Sequence, residues 1–81
     1  MTTYNGHQSY DHWNTALWIL NDEGFYNLLT RKAQLVNKVL TKSQAVNEML
    51  RDLPNKTPDG ARWQADTILD LIEEEQNNQE K

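Results

Sequence analysis

Apolar residues recur along this chain at helical spacing, in segments separated by capping and turn residues. Trp13, Ala16, Leu17 and Leu20 fall at i, i+3, i+4 and i+7, one face of an amphipathic helix running to about Leu20. Ser9 or Asp11 is its candidate N-cap. Trp18 stands off that face, on the side shared by Asp11, Asn14 and Asn21. Asn21-Asp22-Glu23-Gly24 reads as a junction, with Asn21 as the N-cap of a second helix and two acids in its first turn. From there Phe25, Leu28, Leu29, Ala33, Leu35, Val36, Val39 and Leu40 form a broad stripe opposite Asn27, Thr30, Arg31, Gln34, Asn37 and Lys38. Lys32 interrupts the stripe. Either its stem packs while the ammonium reaches the edge, or it marks where core passes into a partner surface.

Thr41-Lys42-Ser43-Gln44 has the form of a capping box opening a third helix, which carries Ala45, Val46, Met49, Leu50 and Leu53 and ends at Pro54. Its stripe is rotated from that of the second helix, so a break or bend is expected between them. Residues 55–60, Asn-Lys-Thr-Pro-Asp-Gly, are turn-formers and predict a loop. The last helix is expected to start between Ala61 and Ala65 and to run to about Glu75. Ala61, Ala65, Ile68, Leu69 and Ile72 lie on one face, with Leu71 at its edge. Residues 1–9 read as an irregular arm and 76–81 as a polar tail that frays. Neither an internal repeat nor useful β-alternation is present. The expectation is a single all-α domain over 1–81, a small bundle of three to four helices.

Composition narrows the function classes. At 81 residues the chain has room for one modest core, which makes help from a partner or a second copy plausible. Three Trp, three Tyr and one Phe argue against disorder throughout, whereas nine Asn and six Gln favour a wet, hydrogen-bonding surface. The absence of cysteine excludes a disulfide framework and a thiolate metal site, and fits a reducing cytoplasm. Ala16-Leu17-Trp18-Ile19-Leu20 is too short for a membrane span, and the first residues lack the charge and apolar core of a signal peptide. A net charge of −4 argues against direct binding of nucleic acid or an anionic membrane.

Candidate chemistry is sparse. His7 and His12 lie five apart near Asp11, between the i+3 or i+4 steps that a helical zinc site uses, so no metal or other cofactor is expected. Asp11, Asp22 and Glu23 offer carboxylates near His12, but acids at helix starts are explained by capping and the helix dipole. With no cysteine nucleophile, Gly-rich phosphate loop or nucleophile elbow, the chain does not read as an enzyme.

Two features suit binding. Trp18, flanked by Asn14 and Asn21 at helical spacing, has the composition of an interaction surface; the alternative is a Trp covered by the N-terminal arm or the last helix. Trp63 seals the loop or joins Trp18, and Tyr4, Tyr10 and Tyr26 extend either arrangement. Asp66, Asp70, Glu73 and Glu74 cluster on the last helix opposite its apolar face, either as a solvated stripe or as a row fitted to a basic groove.

The segment Trp13-Asn14-Thr15-Ala16-Leu17-Trp18-Ile19-Leu20-Asn21-Asp22-Glu23-Gly24-Phe25-Tyr26, with Tyr4-Asn5-Gly6 upstream and Thr57-Pro58-Asp59-Gly60 downstream, resembles a group of short phage and mobile-element proteins sharing W-N-x-A-L-W-x-x-N-D-E-G-x-Y. The resemblance implies a setting and no catalytic residues: small acidic phage proteins include anti-CRISPR and anti-restriction inhibitors that occlude a nucleic-acid groove or assembly surface. The expected function is such an inhibitor, working in the host cytoplasm. It would present Asn14, Trp18, Asn21, Asp66, Asp70, Glu73 and Glu74 to a protein with a basic nucleic-acid-binding surface. The alternative is a self-associating accessory protein, with a second copy as partner. A DNA-binding regulator ranks last, since Arg31, Lys32, Lys38 and Lys42 are few and partly on the apolar face.

Overall fold

A computed structural model describes the backbone of residues 9–79 and the side chains of 9–77; residues 1–8, on which most of the expected 1–9 arm falls, and residues 80–81 lie outside that range. Four helices follow in order: α1 (Tyr10–Asn21), α2 (Glu23–Leu35), α3 (Lys42–Asp52) and α4 (Ala65–Gln79). The fold is all-α, a small bundle in which α2 and α4 each pack against the other three helices, while α1 and α3 do not meet. Ile19, Leu29, Met49, Ile68 and Ile72 are fully buried, so every helix contributes to one core.

Each of the first three helices starts where a side-chain oxygen takes up an otherwise unpaired backbone N–H. Ser9 caps α1 by accepting from His12 N. Thr41 and Gln44 form the reciprocal capping box of α3. At the α1–α2 junction the cap is Asp22, not Asn21, which is the last residue of α1. Asp22 donates its N–H to Trp18 O at 2.9 Å and accepts from Phe25 N through Oδ1 at 3.0 Å, so one residue ends one helix and opens the next. A Cβ on Gly24 would stand 3.2 Å from that carboxylate, which favours glycine there.

The second helix is shorter than its stripe implies. It stops at Leu35, and Asn37 takes a left-handed φ of 68°, a conformation that asparagine tolerates better than most residues. Lys38, Val39 and Leu40 all donate to Leu35 O in the resulting turn. Val36 stays buried, whereas Val39 is 71% exposed. Two β-branched residues within four positions weaken continuation of the helix. Lys32 takes the first of its two expected roles. Its stem is covered, and its ammonium reaches Glu48 at 3.0 Å and Asp52 at 3.2 Å, both on α3. The Glu48 hydrogen bond, above all, holds the Lys32 pKa above the ordinary lysine value, and partial burial opposes it.

Helix α1 is rotated from the face its apolar spacing suggests. Asn14, Thr15, Ala16 and Ile19 are buried, whereas Leu20 is 48% exposed and Trp13 and Leu17 are half-buried. The cause is the segment between α3 and α4, which lies along α1 and satisfies its polar side chains. Thr57 donates its hydroxyl to Asn14 Oδ1 at 2.5 Å, and Asn14 Nδ2 donates to Asp59 Oδ2 at 2.8 Å. Thr15 Oγ1 donates to Asp11 O and accepts from Gln64 N at 3.0 Å. The segment is itself tightly folded. Gly60 N donates to Thr57 O across a turn with Pro58 in second position, and Gly60 has a φ of 87° that only glycine adopts without strain. Trp63 seals this loop, donating to Pro54 O at 2.7 Å and meeting Phe25 edge-on at 5.4 Å between ring centroids.

On α4, Thr67, Ile68, Leu71 and Ile72 are buried; Ala65 is exposed, Leu69 half-buried and Leu71 well inside the buried face. The helix continues to Gln79, past the expected end at Glu75, with no Gly or Pro to interrupt it. Replacing Asn14 by Ala is expected to cost about 2–3 kcal/mol, since Thr57 is left buried without its acceptor. Urea denaturation measures this, and a loss within experimental error would show that the turn is held by other contacts.

Candidate functional site

Asp66, Asp70, Glu73 and Glu74 of α4 face away from its core contacts, as their helical spacing requires. Asp70 and Glu74 are exposed and form no ion pair among the described residues. The other two are tied to neighbouring helices. Asp66 Oδ2 lies 3.1 Å from His12 Nε2 of α1, and Glu73 Oε2 lies 3.0 Å from Lys42 Nζ of α3. Glu75, on the other side of the helix, accepts from the Tyr26 hydroxyl at 3.2 Å, and that hydrogen bond raises the Tyr26 pKa. The row therefore belongs to a helix fastened at several points along its length.

Beside the row runs a groove of about 460 Å³ between α3 and α4. Val46, Ala65 and Leu69 supply its apolar walls; Ser43 and Asn47 stand on its α3 side, and Lys42, Asp66 and Glu73 put charge around it. Two of the four acids in the row thus also line the groove. Its α3 and α4 members lie 18 or more residues apart across the loop, and helical spacing alone does not reveal that these two faces meet.

The other partner-binding candidates fall elsewhere. Asn14 is fully buried, and its amide is used between Thr57 and Asp59, so it leaves the set of contact residues. Trp18 is half-buried and donates its indole N–H to Asp59 Oδ2 at 2.9 Å. Its indole partner lies in the 57–60 turn. Asn21 is exposed and donates to Leu17 O in its own helix. Asn14 and Trp18 therefore share a structural contact in which one carboxylate, Asp59, serves both, and Asn21 takes no part in it. Helical spacing gives no sign of Asp59; its signal is that Thr57-Pro58-Asp59-Gly60 accompanies the Trp-Asn segment in the phage-type resemblance.

His12 pairs with Asp66, not with Asp11, Asp22 or Glu23. Its Nδ1 lies 2.7 Å from Ser9 Oγ. Ser9, His12 and Asp66 are the residue types of a hydrolytic relay, but the Ser9 hydroxyl already accepts from His12 N as the helix cap. The arrangement ties the starts of α1 and α4 together. No cluster of three or more potential metal ligands occurs among the described residues, and His7 lies outside them. Nor is any described helix long and apolar enough to cross a membrane.

Architecture and surface together define a small all-α domain with an acidic, grooved face. Residues 1–80 match DUF7249, a family of unknown function, and the chain belongs to that family. Neither a curated protein nor a solved structure matches the chain.

The hydrogen bonds from Asn14, first, and Trp18 hold the Asp59 carboxyl below the usual carboxylate range. A depressed folded pKa stabilises the native state above the unfolded pKa, and that contribution is lost as pH falls toward the folded value. The urea midpoint, followed by Trp fluorescence, is expected to drop between about pH 5 and about pH 3. Asp59→Asn should flatten part of that drop, and an unchanged slope would assign acid sensitivity to other carboxylates.

Proposed function

We propose that this domain is a phage-type protein-binding inhibitor. Its target is a nucleic-acid-handling complex of host defence, in the manner of anti-CRISPR or anti-restriction proteins, and it acts by occluding a basic surface in the host cytoplasm. The observation that carries the reading is the Asp66, Asp70, Glu73 and Glu74 row on α4, with Asp70 and Glu74 exposed and unpaired among the described residues. Eight residues of α-helix separate its ends, about 12 Å at 1.5 Å per residue. That length matches roughly three to four phosphate steps of a nucleic-acid strand at about 3.4 Å each. A cationic groove built for phosphates can therefore accept the row, and the net charge of −4 steers encounter with such a groove. The phage setting is supported by the sequence resemblance.

Self-association has less support. The 25–40 stripe that invited a second copy packs within the chain, with Leu29, Ala33 and Val36 buried. Val39 remains exposed on it, and Leu20 of α1 is the other large exposed aliphatic among the described residues.

In hosts carrying active CRISPR or restriction systems, expression of the domain is expected to restore plaque formation against at least one system. The Asp70→Lys, Glu74→Lys double variant should slow association with that system's purified effector by about ten-fold or more at low salt. Because both side chains are exposed, its stability should be nearly unchanged. Plaque counts that stay flat across the panel, or a duplex-DNA mobility shift by the domain at moderate salt, would count against the reading.

A further inference from the structure

We infer that the groove between α3 and α4 seats a basic amphipathic helix of the partner protein, its aliphatic side chains between Val46 and Leu69 and its cations on Asp66, Asp70 and Glu73. This rests on the protein-binding reading above and goes past it by specifying the chemistry of the segment bound.

Three observations select this occupant. The apolar walls, Val46, Ala65 and Leu69, favour side chains that lose water on entry, and the groove of about 460 Å³ falls within the range of binding pockets. Its charged surroundings are net acidic: Asp66 and Glu73 line it, Asp70 follows Asp66 by one helical turn, and Lys42 is the one cation among the lining residues. Lys42 is also a weak competitor. Its pair with Glu73 is nearly half-exposed on both sides, and a partner arginine offers the carboxylate a bidentate contact that lysine does not. Anionic ligands and nucleic-acid strands are repelled by the same carboxylates. A second copy of this chain brings a net charge of −4 of its own to the face. A helix laid between two helices can offer side chains at i and i+4, about 6 Å apart, the same axial step that separates Leu69 from Glu73 on α4.

The test uses the full chain and two fluorescein-labelled peptides of equal length and charge. One carries leucines on one helical face and arginines on the other; the second replaces the leucines with serines. Binding is read by anisotropy, the site by ¹⁵N–¹H shift perturbation, and self-association by sedimentation. The leucine peptide is expected to bind about ten-fold tighter or more, as removal of a few buried leucines predicts. Perturbations should centre on Val46, Asn47, Leu69 and Glu73. Asn47→Trp, at an exposed position on the groove, should erase the difference between the peptides. Asn47→Arg provides the same test by charge if the Trp variant loses helical circular dichroism. Asp70→Lys should weaken both peptides.

Equal affinity of the two peptides at α4 would overturn the groove assignment while leaving the acidic face as a binding surface. Absence of binding by both would remove the groove and undercut the acidic-face reading with it. Perturbations centred on Val39 and Leu20, or a dimer occupying the groove, would also overturn the assignment.

Discussion

The fold depends on how a segment without helix is held against α1. Between Leu53, the C-cap of α3, and Ala65, the start of α4, the chain has no helical hydrogen-bond ladder to satisfy its backbone. The 57–60 turn and the side chains of α1 substitute for one. Asn14 lies between Thr57 and Asp59, Asp59 also accepts from Trp18, and Thr15 accepts from Gln64 N one residue before α4 begins. Burying an asparagine and a threonine in the core of so small a domain is costly unless their polar atoms are paired. Here they are paired: no described buried side-chain polar atom lacks a partner.

That clamp also sets the position of α4. The helix begins immediately after Gln64 is fixed to α1, which brings Asp66 against His12 and then Glu73 against Lys42. One face of α4 closes the core through Thr67, Ile68, Leu71 and Ile72. Another carries the acids and one wall of the groove. Any change that frees the loop from α1 therefore alters the surface as well as the stability, although no loop residue lines the groove.

Much of the architecture was legible in the residues. The all-α class follows from apolar spacing. The capping box at Thr41 and Gln44, the stop at Pro54 and the loop over 55–60 follow from local hydrogen-bonding chemistry, and of the two caps offered for α1 the structure uses Ser9. Two of the misreadings are also local in origin. Asn21 and Asp22 are both good caps, and the Asp22 carboxylate takes the Phe25 N–H. Leu35 ends α2 without glycine or proline nearby, and Asn37 supplies the left-handed turn. The acidic row was readable from spacing on a single helix, but the groove beside it was not.

Sequence by itself determined that the chain forms helices, that Thr41 opens α3, and that α4 carries an acidic face, because those properties arise from neighbours within one turn. Only the tertiary structure decided which face of α1 is buried, since Asn14 and Thr15 become core residues when a loop more than forty residues away supplies their partners. It likewise decided that Trp18 meets Asp59, that Lys32 reaches Glu48 and Asp52, and that α3 and α4 leave an apolar groove beside the acids. These are long-range pairings. A polar residue on a helix looks like surface until the chain folds back and satisfies it.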